Sequence, residues 1–253
     1  MLLRRITKHV KDQNWFAVFI DFLIVVVGVF IGIQVANWNA ASKDLAKEQV
    51  YLTRLSQELN VTIERLESGS ELFLSSVNAI QSLLDARHEF QNNPETYIAD
   101  ESALMQAFHT VNSGRVPASS PAVFEEMVAN GELVLIRNTK LRQALYEFDE
   151  YSKVALHAWK TLRDQLLDAR KTTKGILIYK SERTEQFDFL TDSMVPHIFD
   201  SERFHNQSDL SGALSYGMEA QENQLRLVNR HLHLARTIEE EIDLSDQILS
   251  SIN

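Results

Sequence analysis

One stretch governs what this chain can become: residues 16–36 read FAVFIDFLIVVVGVFIGIQVA, 21 residues in which only Asp21 and Gln34 are strongly polar. As a helix it would rise about 30 Å, the thickness of a bilayer's hydrocarbon core. Trp15 and Trp38 bracket it, at the depth where indole rings favour headgroups. Arg4, Arg5, Lys8 and Lys11 all precede it, whereas Lys43 and Lys47 behind it each stand near an acid. That bias puts the N-terminus in the cytoplasm. A cleaved export signal would have a shorter apolar core and a small-x-small exit, which ANWNA at 36–40 matches poorly. A mitochondrial leader would be amphipathic and poor in acids, and a buried soluble helix rarely stays apolar so long. The expected division is a basic cytoplasmic tail (1–14), a transmembrane helix (15–38) and an external domain (39–253), with the lipid bilayer as first partner.

Within the span, Asp21, Val25, Gly28, Gly32 and Val35 recur at helical spacing and share one face. Gly28 and Gly32 form the small-xxx-small pair that lets helix backbones approach closely. Such pairs also arise by chance in glycine-containing spans, so self-association and plain anchoring both stay open. An acid in hydrocarbon costs a few kcal/mol, roughly, unless it is neutralised, paired or wetted. Asp21 therefore has two readings. It sets oligomer register or handles protons, or it lies close enough to Trp15, about 9 Å along the helix, to reach cytoplasmic headgroups.

Charge is divided unevenly. The chain carries −10 overall, while residues 1–38 hold four cations against two acids, leaving the remainder strongly acidic. An acidic domain lacks the basic footprint that nucleic-acid phosphates require. Cysteine is absent, which excludes disulfides and thiolate metal sites. With 8 Gly and 4 Pro in 253 residues, long helices are favoured over a turn-rich β architecture.

The expected fold class is all-α: the transmembrane helix followed by an elongated antiparallel helical bundle. From about 42 to 91, Leu52, Leu55, Leu59, Leu66, Phe73, Val77, Ile80 and Leu84 fit a heptad stripe in which Thr62 and Ser70 fill two seats. Gly69 is a weak point, and without proline this helix runs on from the span almost unbroken. Asn92-Asn93-Pro94 ends it. A shorter helix follows from Asp100 as N-cap to Asn112, then a loop, then a helix begun by Pro121 in its first position and closed by Gly131. The helix over 138–172 carries Leu141, Leu145, Phe148, Ser152, Ala155, Trp159, Leu162, Leu166 and Ala169 on one face. The last, over 209–250, carries Leu225, Val228, Leu232, Ala235, Ile238, Ile242, Leu249 and, just beyond, Ile252, with Leu227 and Leu234 as a second stripe. Residues 173–208 are least legible, with a short helix over 182–194 before Pro196.

Chemistry-bearing patterns are hard to find. There is no phosphate loop, nucleophile elbow or H-E-x-x-H. His231 and His233 are two apart and point to opposite sides of a helix, so they make a poor metal pair. Glu239, Glu240, Glu241, Asp243 and Asp246 read as a solvated face. Glu125-Glu126 supports a helix start, and Trp159 falls on a core seat. No metal, cofactor or catalytic set is expected.

Asp21-x-x-Ile-Val-Val-Val-Gly28-Val-Phe-Ile-Gly32-Ile-Gln34-Val-Ala-Asn37-Trp38-Asn39 resembles the opening of a bacterial single-pass membrane-protein family of unknown function. A second, looser echo runs from Phe124 through Asn130-Gly131, Leu133, Leu135-Ile136 and Asn138 to Leu141-Arg142. The resemblance implies the same topology and weight on Asp21, Gln34, Asn37, Trp38 and Asn39 at the membrane boundary, without naming a reaction. The expectation is a non-enzymatic interaction or sensing module of the bacterial inner membrane, its C-terminal domain periplasmic. It would form a homo-oligomer or join another membrane protein. The alternative is an ion-coupled membrane subunit working through Asp21.

Overall fold

A computed structural model describes residues 15–111, 114–179 and 197–252. The chain is all-α in architecture. Helix α1 (Trp15–Asn92) is followed by α2 (Glu101–Val111), α3 (Ala122–Asn130), a single 3-10 turn (Leu133–Leu135) and α4 (Thr139–Thr173). A two-stranded ladder of β1 (Leu177–Tyr179) and β2 (His197–Phe199) precedes α5 (Ser201–Asn206) and α6 (Leu210–Ile252). The short helix expected over 182–194 lies outside the described residues.

Helix α1 is continuous for 78 residues, about 115 Å. No proline interrupts it, and it stops two residues before Pro94, whose ring disfavours helical geometry in the residue ahead of it. Its first part is uncovered, and its second is the spine of a bundle. Helix α6 runs antiparallel to both α1 and α4: Arg236 pairs with Glu67 at 2.7 Å, Ser70 donates to Asn229 Oδ1 at 2.7 Å, and Tyr151 donates to the Leu227 carbonyl at 3.1 Å. The expected bundle is thus present, with α6 packed along both neighbours.

The heptad stripe of α1 is real, but four of its seats shift by one residue. Ile63, Gly69, Ser76 and Leu83 are buried where Thr62, Ser70, Val77 and Leu84 were expected, and the latter four are half-buried. Gly69 is no break. It is buried in the stripe, and an added Cβ would sit in ordinary contact with Arg115 Cδ and Val228 Cγ1 at 3.8 Å. Ser76 fits because its hydroxyl bonds the Leu72 and Thr110 carbonyls at 3.0 Å. On α4 the seats from Leu141 to Ala155 are buried, with Leu162 also buried and Trp159, Leu166 and Ala169 only partly covered. On α6, Leu225 and Leu232 are half-buried, because the buried stripe runs through Gln224, Val228, His231, Ala235 and Ile238.

Caps set the shorter elements. Asp100 Oδ1 accepts the Ala103 N–H at 3.0 Å, as expected of an N-cap. Pro121 is itself the cap position of α3 rather than its first residue. Gly131 closes α3 at φ +69°, a left-handed geometry that costs other residues more. Helix α5 was not foreseen; it is six residues long, capped by Asp200.

The interior forms two clusters. One, nearer the apolar end, joins α1 to α3, α4 and α6 through Leu55, Phe124, Met127, Phe148 and Ile238. The other gathers Ile80, Phe108, Phe199, Phe204 and Leu210 at the far end. There Arg87, 3% exposed, donates to the carbonyls of Phe204 and Gln207 and to Ser211 Oγ, tying the end of α1 to the start of α6.

Candidate functional site

The sequence-derived face is geometrically sound. Asp21, Val25, Gly28, Gly32 and Val35 lie on one uninterrupted helix and so stand in line, and all five are exposed on their own chain. A Cβ added at Gly28 or Gly32 would meet nothing within 4 Å. Gln34, Asn37, Trp38 and Asn39 continue the same helix and are exposed, so the boundary expected at Trp38 is marked by no change of backbone. The side chain of Trp15 lies outside the described residues. This segment is the one described helix both long and apolar enough to cross a membrane, and none of its apolar window is buried.

A second constellation, mostly missed at the level of sequence, sits where the bundle begins. One face of α1 presents Lys47, Glu48, Tyr51, Arg54 and Glu58 to α3 and the α3–α4 connection: Arg54 and Glu58 grip α3, and the other three grip the connection. Lys47 and Tyr51 both donate to the Glu132 carboxylate. Arg54 holds Glu126 through both guanidinium nitrogens, at 2.6 and 3.2 Å. Glu58 Oε2 accepts the Val123 N–H at 3.2 Å and so caps α3, whose own cap residue is a proline. Glu48 Oε1 accepts the Arg137 N–H at 2.6 Å, two residues before α4. Hydrogen bonds from their partners hold the Glu126 and Glu132 carboxyls below the ordinary carboxylate range.

Asn138 then works in two directions. Its Oδ1 accepts from Lys140 and Leu141 as the N-cap of α4, while its Nδ2 donates to the Glu241 carbonyl, Glu241 Oε2 and Ser245 Oγ on α6. Residues 123–138 carry the partners of this clamp, which the sequence alone did not reveal.

The remaining polar candidates have structural work. His231 is buried and its Nε2 lies 2.9 Å from Ser152 Oγ, with Phe148 and Tyr151 around the ring. Since Ser152 donates to the Phe148 carbonyl, His231 supplies the other proton from Nε2. Burial pushes its pKa down to about 4, so the ring is neutral. His233 faces out, as the two-residue spacing implied. Among the described residues no three His, Asp or Glu side chains are placed to hold a metal ion.

Fold and span together define a helical-bundle protein built on a single helix with one candidate membrane-crossing segment. Comparison with family models, curated proteins and solved structures finds no match to this chain.

Proposed function

We propose that this is a membrane-anchored interaction or sensing module, non-enzymatic and oligomeric. Its N-terminus is cytoplasmic, its span crosses a bacterial inner membrane, and its bundle stands in the periplasm, as in the single-pass family its span resembles. The observation that carries the reading is the continuity of α1. One helix is both the apolar segment and the spine of the bundle, so a rotation or shift at one end is delivered to the other without a hinge.

The oligomer has separate support. Core seats of α1 at Leu45, Leu52, Leu59, Leu66, Phe73 and Ile80 recur every seven residues, and stepping back by sevens leads to Trp38, Ile31 and Ile24. The Glu48 and Leu55 seats lead to Ala41, Gln34 and Val27. The Asp21–Gly28–Gly32 face uses neither register. A second copy, or another membrane protein, can therefore approach that face without displacing the bundle. Cysteine at Gly28 or Gly32 in native membranes, with no other cysteine in the chain, is expected to crosslink between copies or to a partner. Cysteine at Leu23, Val26 or Phe30, on the opposite face, is expected not to. Equal crosslinking from both faces would remove the oligomer reading.

A second reading keeps Asp21 as a proton carrier in an ion-coupled assembly. It is favoured by one observation: no described side chain of its own chain pairs with this acid. Asp21→Asn is then expected to abolish function with expression and insertion unchanged; an active variant sinks it.

A further inference from the structure

Between the start of α4 and the end of α6, against the base of the bundle segment of α1, lies an open cleft of about 440 Å³. Clefts of this size accommodate small ligands. Its charged groups are Glu48 on α1, Arg137 and Lys140 at the start of α4, and Glu241 on α6, with Leu244 and Ile248 forming an apolar wall. Glu48 is only 2% exposed, and its two oxygens fare differently. Oε1 takes the Arg137 N–H; Oε2 is 3.5 Å from Arg137 Nε and has no hydrogen-bond partner. A buried carboxylate oxygen without a donor is costly and uncommon in folded proteins.

Two cations and two carboxylates on the walls of one cleft favour neither a simple anion, which would meet Glu48 and Glu241, nor a simple cation, which would meet Arg137 and Lys140. A zwitterion satisfies both. As the half-exposed Arg137 side chain turns from Glu48 Oε2 to the ligand's carboxylate, where Lys140 joins it, the ligand's ammonium takes its place as the donor to that oxygen. Leu244 and Ile248, both about half exposed, offer burial to a hydrocarbon side chain. We infer that this cleft binds an apolar amino acid or a short apolar peptide through its free ammonium and carboxylate. The site lies on the helix that continues into the apolar segment, so the inference supplies a ligand class for the sensing function proposed above. It rests on that reading only for the consequence of binding.

The test uses the full chain in detergent. Isothermal titration with leucine, isoleucine, methionine and phenylalanine and their homodipeptides, each to about 10 mM, is expected to give at least one ligand with a sub-millimolar Kd. The N-acetyl and amide forms of that ligand, each lacking one charge, are expected to bind at least about tenfold more weakly. Glu48→Gln is expected to weaken binding about tenfold or more, and Lys140→Ala, on the rim, several-fold, with the helical melt of the Lys140 variant unchanged. No binding by any of the eight, or equal binding of the blocked forms, overturns the inference. Because binding is measured outside the membrane, its failure is separate from failure of the crosslinking pattern in the span.

Discussion

The two halves of α1 share one backbone and differ in nearly everything else. From Val18 to Asp44 every side chain is exposed on its own chain, whereas from Leu45 onward a seat is covered every three or four residues. From Val18 to Ala36 the apolar side chains run all the way round the helix, the pattern that suits a hydrocarbon solvent. In the second half, they form a stripe whose polar members meet partners from other elements: Glu48 Oε1 the Arg137 N–H, Ser76 the Thr110 carbonyl, Arg87 the α5–α6 turn. Helix formation alone therefore says little about this molecule. What surrounds each half decides what its side chains do.

The contrast predicts unequal responses to the same substitution. Phe73→Ala empties a seat that is 1% exposed and is expected to cost the bundle about 3–5 kcal/mol, read by denaturant unfolding through Trp159 with Trp15 and Trp38 replaced by Phe. Phe30→Ala, in the uncovered half, is expected to change the same transition by less than about 0.5 kcal/mol. A comparable loss at Phe30 would break the contrast.

His231 gives the next largest effect. The unfolded ring takes a proton near pH 6.5, while the folded ring stays neutral until about pH 4. As pH falls between these values the unfolded state binds more protons, so stability is lost through this window, by up to about 3 kcal/mol for this group. His231→Gln is expected to flatten the pH 6.5 to 4 slope of the unfolding free energy relative to the parent chain. An unchanged slope would mean the ring is not held neutral by the core.

Asn138→Ala removes the cap of α4 and its bonds to α6 together, and is expected to cost about 1–2 kcal/mol. Hydrogen exchange sharpens the result. Protection is expected to fall first in 139–145 and 241–245, leaving the far cluster around Phe204 unaffected.

Much of this architecture was legible in residues 15–173. Uninterrupted heptads, Pro94, Asp100, Gly131 and Asn138 each act locally, so the ends of α1, α2, α3 and α4 could be read from the neighbours of each residue. The seats at Ile63, Gly69, Ser76 and Leu83 were misread because size and polarity at one position do not reveal what faces it. Gly69 packs near Arg115 and Val228, which are far along the chain. The β ladder and α5 escaped for the same reason: three-residue strands depend on their partner, here Leu177 with Phe199 and Ile178 with Ile198. Of the candidate sites, the Asp21 face needed only helical spacing to be found. The Glu48 cleft needed α1, α4 and α6 to meet, which no local pattern in the sequence marks.

Continuity of α1 across the end of the apolar segment is the central claim, and a spin-label distance measures it directly. Nitroxides on cysteines at Ala40 and Glu64, both exposed, in the full chain reconstituted in bilayers and diluted with unlabelled chain, span 24 residues of α1. The account predicts a single narrow distribution centred at about 36 Å. A broad distribution, or a population well short of that distance, would mean a hinge between span and bundle and would contradict it.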